Sequence, residues 1–135
     1  MTIPHDVGLA GHSDADVLTH AVIDALLGAA GLGDIGQHFP DTDPAYEDAD
    51  SIALLRAVVA DLGARGHEIG NVDATVVLER PKLAPHRDAI RARLADGLGV
   101  DPAHVNVKAT TGEGMGFVGR EEGVAALAVA TLRGG

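Results

Sequence analysis

The segment HSDADVLTHAVID puts Asp16, His20 and Asp24 at i, i+4 and i+8, with apolar residues at most positions between them. At about 100° per residue these three fall within a stripe of roughly 80° on a helix. Two carboxylates and an imidazole on a helix with little other polar surface need partners, because buried charge is paired, hydrogen-bonded or metal-bound. His12 and Ser13 stand just before this stripe, where side chains and free amide groups at a helix start face a cleft. Two chemistries fit. The stripe holds a metal or a reacting group, or Asp16 serves the helix N-terminus while His20 and Asp24 bond one another.

Two further segments carry chemistry. GDIGQHFPDTDP holds Asp34, His38, Asp41 and Asp43 in a stretch rich in turn residues. Carboxylates in such a loop bind a hard cation or sugar hydroxyls, or serve only the turns themselves. KATTGEGMGFVGR is richer: Thr110 and Thr111 close a predicted strand, glycines free backbone amides, and Arg120 adds a guanidinium. Amides, hydroxyls and one cation make a phosphate cradle. Glu113 within it repels phosphate unless a divalent cation intervenes, which points to a metal–diphosphate arrangement. GxxxxGK[ST] does not occur, so this is not a Walker loop. A plain glycine-rich turn is the competing reading, and RPKLAPH reads equally as a proline-ruled turn.

The elements that position these groups follow from periodicity. A helix is expected from about Asp16 to Ala30, started by Ser13 with Asp16 as a capping box and ended by Gly31 and Gly33. Asp50 or Ser51 caps a second helix, with Ile52, Leu55, Val58, Val59 and Leu62 on one face up to Gly66. GNVDATVVLE alternates and is β-branched, predicting a strand over residues 70–79. A third helix is expected over 86–98, with Ile90, Leu94 and Leu98 on one face, and VNVKATT reads as a second strand. The Ala/Val/Leu-rich stretch 121–132 predicts a last helix, and TIP near the start reads as the stub of another strand. This order is α/β, with helices covering the strands.

Composition sets the frame. The 135 residues are expected to form one domain, 1–135, without repeat or linker. Ten Lys and Arg against twenty Asp and Glu give a net charge of −10, which argues against nucleic acid or an anionic membrane as partner. No apolar run reaches membrane-span length, and MTIPHDVG lacks the features of a signal peptide, so a cytoplasmic protein is expected. There is no Cys, which excludes disulfide and thiolate chemistry. Hydrophobic residues make up 46% of the chain, yet only Phe39, Phe117 and Tyr46 are aromatic. Such a core buries less area per residue and gains from burying more in an oligomer.

Taken together, GHSDADVLTHAVIDALLGAAGLGDIGQHFPDTDP, GNVDATVVLERPKLAPH and VNVKATTGEGMGFVGREEG resemble the 2-C-methyl-D-erythritol 2,4-cyclodiphosphate synthases of non-mevalonate isoprenoid biosynthesis. The motifs HSDxDxxxH, GDIGxxFPDTD and KATTxExxGFxGR occur in the family's order and cover nearly the whole chain. The resemblance implies an α/β (α+β) fold, a single layer of mixed β-sheet packed against helices, assembled as a homotrimer with active sites between neighbours. It implies a lyase in which the 2-phosphate of a cytidine-diphosphate-linked methylerythritol attacks the β-phosphorus and CMP leaves. Zinc on the substrate phosphates and magnesium or manganese on the diphosphate are implied cofactors.

The resemblance also implies roles for single residues. His12 and Ser13 contact the phosphate and erythritol part, and His12 stabilises the transition state. His20 is a zinc ligand. Asp34, Ile35 and Gly36 bind substrate, as do Phe39, Pro40, Asp41, Thr42 and Asp43 around the erythritol hydroxyls. Leu78, Glu79, Arg80, Pro81, Lys82, Leu83 and Ala84 form the cytosine pocket. Thr110, Thr111, Gly112 and Glu113 lie on the cytidine-phosphate side, with Thr111 polarising the diphosphate and Glu113 holding its cation. Phe117 and Arg120 belong to the same pattern. Gly112 stands where family members often have another small or polar residue. The family takes its other two zinc side chains from an Asp-x-His in a strand before HSDxD, and no Asp-x-His stands between Met1 and His12. His5 and Asp6 are in the wrong order for it. Two readings follow: a cyclodiphosphate synthase whose sequence here starts late, this chain binding cytidine phosphates and turning over poorly, or a truncated, non-catalytic homologue that binds a cytidine nucleotide or an isoprenoid diphosphate.

Overall fold

A computed structural model describes residues 5–38, 51–77, 86–110 and 125–134, with the backbone alone for 5–14. Its elements are α1 (His5–Ala29), α2 (Ile35–His38), α3 (Ser51–Ala64), β1 (His67–Val77), α4 (Arg87–Leu98), β2 (Val105–Thr110) and β3 (Ala125–Gly134). A 3-10 turn, Pro102–His104, precedes β2; Asp101 caps it by accepting from the amide of Ala103 at 2.9 Å.

Several boundaries fall where the sequence places them. Gly31 (φ 73°), Gly66 (φ 89°) and Gly99 (φ 71°) take the left-handed conformation just past α1, α3 and α4, where a side chain would be strained. Two expectations are corrected. α1 runs on from His5, so Ser13 lies inside the helix rather than capping it, and His5 and Asp6 belong to the same helix. The last described element is the strand β3, so residues 125–132 are not the helix expected over 121–132. Its stretch is rich in Ala, the best helix former, but pairing with β1 over its whole length overrides that weak local preference. The loop after Gly33 also contains the short helix α2. The segment TIP lies outside the described residues.

The sheet is mixed, in the order β2-β1-β3. β1 pairs parallel with β2, from Val72↔Val105 to Val77↔Thr110, the two being joined through α4. β1 pairs antiparallel with β3, from His67↔Gly134 to Val77↔Ala125, with an irregularity between Ile69 and Val72. One face of the sheet, built on Val72, Ala74, Val76, Val105 and Val107, packs under the helices. There it meets Leu18, Val22, Ile23, Leu26 and Leu27 of α1, Leu55, Val58 and Leu62 of α3, and Ile90, Leu94 and Leu98 of α4. α3 and α4 come close because Gly97 has no side chain: a Cβ there would sit 2.9 Å from Leu55 Cδ2. Arg91 ties α4 to the start of β2 by donating from Nε to the carbonyls of Pro102 (3.0 Å) and Val105 (2.7 Å).

The other face of the sheet has no helix on it among the described residues. It divides in two. On the β3 side Leu127 and Val129 are 65% and 67% exposed. On the β2 side Asp73 accepts from Lys108 Nζ at 2.9 Å and from Asn106 Nδ2 at 3.1 Å.

Candidate functional site

Helical spacing brings Asp16 and His20 of α1 together, as one turn separates i from i+4. Asp16 Oδ1 and His20 Nε2 lie 3.8 Å apart, too far for a hydrogen bond. Both atoms are buried, and neither has a hydrogen-bond partner among the described residues. A buried polar atom without a partner costs about 1–3 kcal/mol, so native structures rarely keep one without cause. An imidazole nitrogen beside a carboxylate oxygen, both unsatisfied, is donor chemistry that suits a zinc ion. The residues present fit that ion in part: among the described residues no third His, Cys, Asp or Glu joins them in a metal-sized cluster.

Asp24, the third member of the stripe, does something else. Its Oδ1 accepts from the backbone amide of Ile35 at 2.8 Å. It therefore anchors the Asp34–Gly36 stretch to α1 and does not bond His20. Asp34 in turn caps α2, its Oδ1 accepting from the amide of Gln37 at 2.8 Å. At the other end of α2, His38 Nε2 lies 3.0 Å from Asp61 Oδ2 of α3, and Asp61 Oδ1 takes Nε of Arg65 at 3.3 Å. Asp61 and Arg65 carried no functional signal in the sequence beyond an i, i+4 charge pair.

A second locus forms at one end of the sheet. The parallel strands β1 and β2 stop in register at Val77 and Thr110, and β3 begins opposite Val77 at Ala125. The described carboxyl ends of the neighbouring parallel strands β1 and β2 therefore lie side by side, at Val77 and Thr110. In open α/β sheets ligands bind outside such ends. Thr110 is exposed there. Among the described residues no hydrogen bond links Thr110 to the α1 pair or to residues 34–38.

The remaining expected site residues fall outside what is described. His12 and Ser13 lie in the first half of α1, where only the backbone is given. Phe39, Pro40, Asp41, Thr42 and Asp43, the run Leu78 to Ala84, and Thr111, Gly112, Glu113, Phe117 and Arg120 lie outside the described residues.

Comparison with known proteins places these features in a family. The model of the YgbB family matches residues 1–133. A 2-C-methyl-D-erythritol 2,4-cyclodiphosphate synthase from Thioalkalivibrio sulfidiphilus is 64% identical over 130 residues, 96% of this chain and 81% of that protein. A bifunctional enzyme IspD/IspF from Anaeromyxobacter dehalogenans is 64% identical over 125 residues, 93% of this chain but only 32% of that protein. The chain thus spans about a third of the bifunctional relative's length. Among solved structures, an IspF from Plasmodium falciparum in complex with CDP superposes with a TM-score of 0.77 at 29% identity, covering 87% of this chain and 70% of that one.

Proposed function

Because the chain belongs to the YgbB family, we propose that it is a 2-C-methyl-D-erythritol 2,4-cyclodiphosphate synthase of isoprenoid precursor biosynthesis. The substrate is 4-diphosphocytidyl-2-C-methyl-D-erythritol 2-phosphate. An oxygen of its 2-phosphate bonds to the β-phosphorus, the bond from that phosphorus to the bridging oxygen breaks, and CMP leaves with the bridging oxygen and its electron pair. Two phosphate groups must meet within an acidic protein, so positioning and charge neutralisation outweigh any need for a protein nucleophile.

The observation that carries this reading is the pairing of β1 and β2 in register up to Val77 and Thr110, side by side at one sheet end. It gives the 78–84 stretch and Thr110–Glu113 a common starting place, as a cytosine pocket beside a diphosphate cradle requires. Asp34, Ile35 and Gly36, anchored through Asp24, are assigned to the erythritol part. His12 and Ser13 bind its phosphate, and Thr111 donates to the diphosphate. His20 holds zinc through Nε2 and Glu113 holds magnesium or manganese; when bound, these ions neutralise phosphate charge. Phe117 and Arg120 complete the phosphate side.

In this reading the protein works in the cytoplasm as a homotrimer, and the sheet face that carries Leu127 and Val129 is the surface that copies share. The test is incubation of the full chain with substrate, zinc and magnesium, followed by phosphorus NMR. Cyclodiphosphate and CMP in equal amounts are expected, formed slowly because the Asp-x-His that the family adds to His20 is missing before His12. Binding of CDP with no CMP formed would overturn the enzyme reading in favour of a non-catalytic cytidine-nucleotide binder.

A further inference from the structure

α2 is only four residues long, and none of its residues is buried. A helix of one turn does not hold itself, because nucleation costs more than its single turn of hydrogen bonds returns. Its position must come from contacts outside it. At its start two carboxylates supply them: Asp24 takes the amide of Ile35, and Asp34 takes that of Gln37. At its end the contact is tertiary. The His38 side chain, 17% exposed, meets Asp61 Oδ2 at 3.0 Å, across from α3. The other oxygen of the same carboxylate takes Arg65 Nε at 3.3 Å, one turn further along the chain.

We propose that Asp61 is a positioning residue for the Asp34–Ile35–Gly36 stretch, set by Arg65 and acting through His38. Arg65 occupies Oδ1 and so fixes the rotation of the carboxylate, which presents Oδ2 to the imidazole. His38 then locks the far end of the segment whose near end Asp24 locks. The stretch is held from two helices that pack on one core, α1 and α3, and neither anchor alone fixes both its position and its direction. This inference rests on the assignment of residues 34–36 to substrate binding. Asp61 itself touches no substrate in it. A segment displaced by an ångström costs binding of whatever it contacts, while groups elsewhere in the site keep their affinity.

The test compares Asp61→Ala, Asp61→Asn and Arg65→Gln in the full chain. Hydrogen exchange of a peptide covering residues 34–38 reads the position of the stretch without any need for turnover. Exchange there is expected to rise about tenfold in Asp61→Ala, with peptides from α3 and β1 unchanged. KM for the diphosphocytidyl substrate is expected to rise about tenfold with kcat within about twofold, and affinity for CDP to stay the same. Asp61→Asn, whose side chain still offers an acceptor and a donor, restores part of the effect; Arg65→Gln loses part of it. Unchanged exchange at 34–38 overturns the proposal, as does a rise spread equally over α3 and β1, which would mark a merely structural residue. If the wild-type chain binds CDP but releases no CMP, the enzyme reading falls, and the exchange result still decides the role of Asp61.

Discussion

Replacing His20 by Leu is expected to have opposite effects with and without zinc. In the metal-free protein the change removes an imidazole nitrogen that is buried and has no hydrogen-bond partner among the described residues, and substitutes a side chain of similar size. An orphaned buried polar atom costs about 1–3 kcal/mol. The His20 side chain is 34% exposed, so the lower end applies and the metal-free variant should be more stable by about 1 kcal/mol. Zinc bound only by the folded wild type adds RT ln(1 + [L]/Kd), about 2.7 kcal/mol at a hundredfold excess over Kd, and the variant gains little of it. The two stabilities therefore cross where zinc contributes about 1 kcal/mol, at free zinc of roughly four to five times Kd. Urea unfolding followed by circular dichroism, in chelator and then over a zinc series, measures both halves. A variant clearly less stable than wild type in chelator would refute the idea that Nε2 is an unmet burden in the apoprotein. Equal zinc stabilisation of both proteins would remove His20 from the metal site.

Three further outcomes are expected. Gly97→Val puts a branched side chain where even a Cβ meets Leu55 at 2.9 Å, so urea unfolding should show a loss of about 1–3 kcal/mol. Asp73 is held below the ordinary carboxylate range, first by its hydrogen bond from Lys108 and then by that from Asn106. Its contribution is present above the unfolded carboxylate value, near 4, and is lost as pH falls through the lower folded value. Lys108→Met should thus cost under about 1 kcal/mol at neutral pH, in a half-exposed pair, and the gap to wild type should close as the solution is acidified below about pH 4. On the proposed trimer, Leu127→Lys together with Val129→Lys should shift sedimentation toward monomer while circular dichroism stays the same; an unchanged sedimentation coefficient would exclude this face from the assembly.

Much of the scaffold was legible because side-chain pattern and punctuation agreed. In α3 and α4 the apolar residues recur at helical spacing and glycines stand at the ends. In β1 and β2 β-branched residues alternate. β3 misled because its pattern is inverted. The residues turned toward the core are Ala126, Ala128 and Ala130, while the larger Leu127 and Val129 face outward. Small residues suffice inside because α1 packs closely on the strand, and they look like helix formers when read alone. At the site, the Asp16–His20 pair follows directly from a one-turn spacing. Asp24 shared that stripe but turned to an amide eleven residues away in sequence, which no local pattern announces. Asp61 was invisible for the same reason: its partner His38 belongs to another element, and only the packing of α3 beside α2 joins them.

The long-range packing of α1 has a consequence for synthesis. Its main neighbour is β3, the last described element to be made, while α1 is the first of them. At a ribosome's usual pace roughly a hundred residues separate the two by some five to twenty seconds. Throughout that interval Leu18, Val22, Ile23, Leu26 and Leu27 have no finished sheet to cover them. β1 likewise gains its antiparallel neighbour only then. The nascent chain must therefore carry a sticky helix, and a β1 edge not yet paired with β3, until β3 is made. A holdase that binds short apolar segments should accordingly raise the yield of this protein most when elongation is slow.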